Sequence, residues 1–466
     1  MGAMIHFGTD GWRARLDGDF NDDNLVRIAD AAGRLWARCA PGAITYVGFD
    51  TRPGAERFAC LAGEVLAGHG LAVKVSDRCA PTPALSWTVA HDLRACGGFM
   101  ITGSHSPVDY LGVKLRHADG GTAASDNTDE LESMIEVEPT ERRGPIGRAD
   151  IMTPYLKSLA RLVDHDAISR ANLKIVCDPM YGSARGYLAR VLGELGVEVA
   201  EIHGENDDEV DEVHPDPIEP WVDDCEQAVL RFGAHAGLVN DGDADRVGAI
   251  DERGRFVNPH KIIALLATHL VRNRNESGRV VLNLSASALT RRVARALGCR
   301  VTIKPVGFRY IYEEMRKGDV LIGGEEAGGI GIPWHVPERD GLLVNLLLCE
   351  MMAMSHKPLG ALVEEMEGVY GSTFYTRRDL RLEAEVIETF RTLLPGLNPK
   401  RVAGRAPIHV SHMDGLRLEF DDESWLLLRP SGAEPVVRVY AEAATIELRD
   451  ELLEVGCDLA RGDLDA

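Results

Sequence analysis

A serine with a neighbouring histidine stands in Ile101-Thr102-Gly103-Ser104-His105-Ser106-Pro107, directly after the apolar run Gly97-Gly98-Phe99-Met100. An apolar run reads as a strand, and Gly-Ser with a following Pro ends it in a tight loop. Such a loop presents the hydroxyl rather than burying it, and its amides can face an anion such as phosphate. Ser104 is therefore a candidate nucleophile and His105 a candidate acid or base. Lys114, in Leu111-Gly112-Val113-Lys114, is a candidate cation or proton donor. Taken alone, the stretch also fits an ordinary turn with a solvated serine, a packed histidine and a surface lysine.

Asn240-Asp241-Gly242-Asp243-Ala244-Asp245-Arg246 places three carboxylates at alternate positions after another apolar run. Hard divalent cations take oxygen ligands, and alternating aspartates let several converge on one ion. The spacing echoes an EF-hand calcium loop, with Glu252 twelfth from Asp241. Arg246 in the sixth position, where glycine is needed, and the apolar Val247-Gly248-Ala249-Ile250 beyond it favour a Mg²⁺ loop in an α/β domain instead. An acidic solvated turn is the plain alternative.

Gly323-Gly324-Glu325-Glu326-Ala327-Gly328-Gly329 joins backbone freedom to carboxylates that accept from vicinal hydroxyls, as sugar sites require. Arg429-Pro430-Ser431-Gly432-Ala433-Glu434-Pro435 reads as a hairpin tip offering a forked guanidinium, a hydroxyl and amides to phosphate. A solvated turn and a plain hairpin fit these two stretches when each stands alone. Phe7-Gly8-Thr9-Asp10-Gly11-Trp12-Arg13 adds an arginine behind a Gly-rich turn.

Three stretches repeat strand, loop and amphipathic helix, the rhythm of α/β layers. The first has strands at 44–50 and 71–75 around a helix at 55–67. The second has strands at 173–177, 197–202 and 236–239 and a helix at 182–195. The third has helices at 260–272 and 286–297 with strands at 279–284 and 300–303. From residue 372 short alternating runs dominate, at 409–413 and 416–420, and a terminal helix follows from 446 to about 460. The expected organisation is α/β, with the Ser104 loop in 1–148, the aspartate loop in 149–255 and the Glu325 loop in 256–367. A smaller α+β domain, 368–466, carries the Arg429 loop. Three like units suggest duplication, although no identity between them is visible.

The 466 residues, 45% hydrophobic and 27% charged, are too many for one core. A net charge of −22 and a pI near 5.1 would repel nucleic acid, and no basic run with interleaved aromatics offsets them. An anionic ligand then needs local arginines, loop amides or a divalent cation. Nine scattered cysteines, none spaced Cys-x-x-Cys, indicate neither a disulfide framework nor a zinc site. Reduced thiols and a cytoplasmic location are expected, with no membrane partner. Met1-Gly2-Ala3 before Met4 reads as an added leader rather than a targeting segment.

Taken in order, these motifs resemble those of the α-D-phosphohexomutase superfamily, which includes phosphoglucomutases and phosphomannomutases. Thr102 to Pro107 is similar to its phosphoserine loop, T-[AG]-S-H-N-P, and Asp241 to Arg246 to its metal loop, D-G-D-x-D-R. Gly324 to Gly329 is similar to the sugar loop G-E-x-S-G, Arg429 to Pro435 to R-P-S-G-T-E-P, and Phe7 to Arg13 to F-G-T-D-G-x-R. The resemblance implies four domains around a central cleft, three related α/β/α sandwiches and a smaller α+β domain. It implies a mutase interconverting hexose 1-phosphate and hexose 6-phosphate, of glucose or mannose, through phosphorylated Ser104 and a bisphosphorylated sugar. Ser104, Asp241, Asp243 and Asp245 would hold one Mg²⁺, with Arg13, Lys114, Arg246 and His105 assisting. Glu325, Ala327, Lys304, Gly307, Arg309, Arg429, Ser431, Gly432, Ala433 and Arg438 would bind substrate. A hexose 1,6-bisphosphate would serve as activator, and the chain would be a monomer or homodimer.

This sequence departs from the family pattern at four places. Ala327 replaces a sugar-contacting serine and Ala433 a threonine, each removing a hydroxyl donor worth about 1 kcal/mol. Ser106 stands for asparagine, and Leu111 for the asparagine before Gly112. Gly329 takes the place of a histidine carried by some subfamilies, which leans away from phosphoglucosamine mutases, and His335 would serve that region instead. An amino-sugar mutase, a phosphatase and a non-catalytic sugar-phosphate binder are the competing readings.

Overall fold

The computed structural model describes residues 5–123, 125–205, 214–431 and 436–462. Three of its four sheets repeat one topology. A first strand lies between a second and a third, both parallel to it, and a fourth returns antiparallel to the third. In the first domain these are Ile44–Phe49, Ala72–Ser76, Ala95–Ile101 and Tyr110–His117. In the second they are Lys174–Asp178, Glu198–Glu201, Ala236–Asn240 and Val247–Asp251. In the third they are Arg279–Asn283, Val301–Lys304, Val320–Gly324 and Ile330–Gly331. The repetition supports duplication from topology, where the sequence shows no identity.

Parallel pairs need crossovers, supplied by Ala55–Ala67 and Thr82–His91 in the first domain and by Ala288–Ala296 and Phe308–Met315 in the third. Ile44–Phe49 is buried at every residue, as a strand covered on both faces must be. The turn from third to fourth strand leaves the carboxyl end of the parallel layer, where α/β sheets bind ligands. In the three domains that turn holds Ser104, then Asp241 to Asp245, then Glu325.

The helix expected over 182–195 forms only at Tyr187–Glu194, because Gly186 at φ 72 sets its entry and turns precede it. The helix Gly341–Ser355 lies outside the elements expected from the sequence. It is buried from Gly341 to Ala353, so it has no polar face to give a helical period. Asp340 caps it, accepting from Leu343 N–H at 3.0 Å. Its leucines lie in a single apolar cluster that runs from Ile44 to Met366 and fuses the first three domains. Among the described residues no single helix is long and apolar enough to cross a membrane.

The last domain is a five-stranded antiparallel sheet, with Trp425–Pro430 between Leu416–Glu419 and Val436–Ala443. One face packs Leu418, Leu426, Leu428, Val437 and Val439 against Leu452 and Leu453 of the helix Ile446–Arg461. All nine cysteines are free thiols.

Candidate active site

Ser104 has φ 50, in the left-handed region. Its N–H donates to Thr102 Oγ1 at 2.8 Å, while Thr102 Oγ1 and Gly103 N–H donate to Asp50 Oδ2 at 2.7 and 3.0 Å. So turned, Ser104 Oγ donates to Asp241 Oδ2 of the second domain at 3.0 Å. Lys114 Nζ and His105 Nδ1 each stand 3.4 Å from the same Ser104 oxygen. The expectation of a presented hydroxyl is corrected: Ser104 is 0% exposed. The aspartate loop closes over it so tightly that a Cβ on Gly242 would lie 2.5 Å from the Ser104 carbonyl oxygen.

Asp241, Asp243 and Asp245 each bring a carboxylate oxygen within 4.8 Å of the others, and all three are buried. Lys114 Nζ lies 2.7 Å from Asp243 and 2.5 Å from Asp245. Thr82 Oγ1 donates to Asp243 at 2.5 Å, and Arg246 N–H to Asp241 at 3.0 Å. Asp243 Oδ1 and Asp245 Oδ1 are buried with no hydrogen-bond partner among the described residues. Burial raises the Asp241 carboxyl well above the usual range, and the charges of Asp243 and Asp245 add to it. Burial also works against the Lys114 ammonium, but Asp10, Asp243 and Asp245 outweigh it and hold its pKa up. Orphaned oxygens among clustered acids fit a hard divalent cation, so this triad can hold a metal.

Two residues outside the expected set complete the cluster. Arg339 is 1% exposed; its guanidinium reaches Asp10 at 2.6 Å, Asp245 at 2.9 Å and Glu338 at 3.2 Å. Asp10 in turn lies 3.1 Å from Lys114 and 3.3 Å from Arg13. Burial, with the nearby charges of Arg246, Arg13 and Lys114, lowers His105 well below the usual histidine pKa.

Glu325 is 8% exposed and burial pushes it up to about 8, against the pull of Arg339. Glu326 turns the other way, accepting from Asn283 at 2.5 Å and Ser285 at 2.7 Å. The next turn is welded to the aspartate loop, since Val247 N–H donates to Gly328 O at 3.0 Å. Gly307, at φ 130, brings the 304–309 loop to Thr9, 3.3 Å from where a Cβ would stand. Loops from three domains therefore meet around Ser104.

Comparison with known proteins agrees with this layout. Models of phosphoglucomutase/phosphomannomutase alpha/beta/alpha domains I, II and III match residues 4–142, 153–254 and 258–370, and the C-terminal domain model matches 398–455. A phosphoglucomutase/phosphomannomutase of Thermococcus kodakarensis is 30% identical over 98% of both chains. The chain belongs to the phosphoglucomutase/phosphomannomutase family. A phosphoglucosamine mutase of Salinispora arenicola is likewise 30% identical over 99% of both chains. A crystal structure from Thermus thermophilus, assigned as a phosphomannomutase, superposes with a TM-score of 0.88 at 35% identity, covering 99% of this chain and 100% of that one. The protein is accordingly a phosphohexomutase-type enzyme, and the four-domain architecture read from its motifs holds.

Not every residue expected in this phosphohexomutase site meets the Ser104 cluster. Lys304 is paired at 3.1 Å with Glu314, which also takes Arg279 and Lys317. Arg309 folds over the Tyr310 ring, 4.8 Å from its centroid. Arg429 and Arg438 sit opposite each other on neighbouring strands of the last domain. Arg429 is held 2.7 Å from Asp414, which also accepts from Val306 N–H at 2.9 Å and so links that strand to the 304–309 loop. Ser431 N–H donates to Val436 O at 2.8 Å. Gly432 and Ala433 lie outside the described residues. His335 is buried, its Nε2 2.9 Å from Asp340, and so braces the helix cap rather than the sugar loop.

Proposed function

We propose that the chain interconverts hexose 1-phosphate and hexose 6-phosphate, of glucose and mannose, through phosphorylated Ser104 and a bisphosphorylated sugar. One observation carries the reading. Ser104 Oγ is hydrogen-bonded to Asp241, in a triad whose Asp243 and Asp245 each keep a buried, unpartnered oxygen. In the forward step the phosphorus–Oγ bond of phosphorylated Ser104 breaks as a bond forms to the free sugar hydroxyl, whose proton leaves to a base. In the return step Ser104 Oγ attacks the other phosphate, the bond from that phosphorus to the sugar oxygen breaks, the sugar oxygen takes up a proton, and neutral His105 is placed to take the Ser104 hydroxyl proton. Lys114, Arg13 and Arg246 neutralise charge on the moving group. Asp241, Asp243 and Asp245 would hold Mg²⁺, which when bound offsets phosphoryl charge as a Lewis acid. Glu325 faces the sugar hydroxyls, and Arg429, Arg438 and Ser431 grip the distal phosphate.

Ser104→Ala should abolish nearly all mutase turnover while glucose 1-phosphate still binds. Intact mass should show one phosphoryl group on the wild type and none on the variant. Undiminished turnover in Ser104→Ala overturns the proposal. An amino-sugar mutase is the second reading, favoured by the phosphoglucosamine mutases among the relatives. A panel of glucose 1-phosphate, mannose 1-phosphate and glucosamine 6-phosphate, with a trace of bisphosphate, separates the two.

A further inference from the structure

The Ser104 loop is held from the inside by a buried arginine. Arg52 follows the strand Ile44–Phe49, and its side chain is 6% exposed. One terminal nitrogen donates to Tyr110 O at 2.9 Å and to Pro107 O, and the other to Ser104 O at 2.8 Å and Ser106 O at 2.5 Å. Its Nε stands 3.4 Å from Asp50 Oδ2, the oxygen that accepts from Thr102 and Gly103. A planar guanidinium can serve several acceptors in fixed directions, which an ammonium cannot. With four carbonyls drawn inward onto one group, the Ser104 hydroxyl is left facing Asp241.

Gly103 lies directly against Arg52. A Cβ at position 103 would stand 2.3 Å from Arg52 Cζ and 2.4 Å from its Nε, and neither atom can yield while the guanidinium is held on every side. We propose that Arg52 is the positioning residue of the nucleophile: it fixes Ser104 at φ 50 with Oγ toward Asp241. The proposal rests on Ser104 as phosphoryl carrier.

Kinetics of the full chain with Mg²⁺ test it, using Arg52→Lys, Gly103→Ala and the double variant. A misplacement of the reacting atom by about 1 Å costs on the order of 100-fold. Arg52→Lys should thus lose about 100-fold in kcat for glucose 1-phosphate with KM within about threefold. Phosphorylation of Ser104 by glucose 1,6-bisphosphate, followed by intact mass, should slow in parallel. Gly103→Ala, which keeps the arginine, should show the same split, and the double variant little more than either alone, since both remove one clamp. If Arg52→Lys fails to fold, Gly103→Ala carries the test. Wild-type kcat in either variant, or losses that multiply and simply follow a lowered melting temperature, overturns the positioning role. Full turnover in Ser104→Ala would instead overturn the reading beneath it.

Discussion

The backbone N–H of Val247 donates to the carbonyl of Gly328 at 3.0 Å, so the aspartate loop and the Glu325 loop are joined main chain to main chain. The contact demands glycine. Gly328 has φ 92, and a Cβ there would lie 2.4 Å from Val247 O. Gly328→Ala should therefore disturb both loops at once. Strain of about 1–3 kcal/mol corresponds to tenfold or so in affinity. Calorimetric titration should show Mg²⁺ and glucose 1-phosphate both binding about tenfold more weakly. If one affinity moves and the other does not, the loops are not coupled through this bond.

Lys114 is 1% exposed and lies within 3.1 Å of Asp10, Asp243 and Asp245. Breaking a buried ion pair by removing one partner costs about 3–5 kcal/mol, because the other charge stays buried. Lys114→Met should lower the melting temperature markedly in chelator. Adding MgCl₂ at constant ionic strength should then raise it by more than it raises the wild type, since a cation among the aspartates replaces lost positive charge. Equal shifts in both proteins would show that the triad does not take the ion.

Glu325 provides a pH signature. Its pKa stands at about 8 in the fold, chiefly through burial, against about 4.3 in an unfolded chain. The folded state keeps a proton that the unfolded state gives up. The stability this lends is full below about pH 4.3 and is lost as pH rises through 8. Unfolding free energy of the wild type minus that of Glu325→Gln should fall by about 1.4 kcal/mol per pH unit across that window. Urea titrations at pH 5, 6.5 and 8 would measure it, and parallel curves would contradict the buried, protonated carboxyl.

Local chemistry made the loops legible: alternating aspartates, Gly-Glu-Glu and Arg-Pro-Ser-Gly each carry their purpose in adjacent residues. The alternation of strand and helix was legible as rhythm, because parallel strands between helices leave long apolar runs, whereas the order of the strands in each sheet was not. What stayed hidden depends on distance along the chain. Asp10 and Arg339 are 329 residues apart, and nothing local to either marks a partner. Asp50 and Arg52 end an early strand and look like surface charge until the Ser104 loop folds over them. The helix Gly341–Ser355 lacks a period because it is buried all round. Ser104 reads as exposed in the sequence because a neighbouring domain, not its own loop, covers it.

The seat beside Gly329 is already taken, which bears on substrate choice. A Cβ there would stand 2.5 Å from Arg339 Cδ and 2.9 Å from Glu325 Oε2. Arg339 cannot step aside cheaply, because Asp10, Asp245 and Glu338 hold its guanidinium. Gly329→His should therefore fail to bring in amino-sugar turnover. Displacing Arg339 takes away a cation that Asp10, Asp245 and Glu338 share, and breaking such buried pairs costs about 3–5 kcal/mol. Turnover should collapse for glucose 1-phosphate and glucosamine 6-phosphate alike, and Gly329→Ala should lose less in the same direction. Steady-state assays of both variants on both sugars, with melting temperatures alongside, decide it. A rise in glucosamine 6-phosphate turnover in Gly329→His would show that Arg339 yields its place, and that position 329 rather than Arg339 governs the sugar.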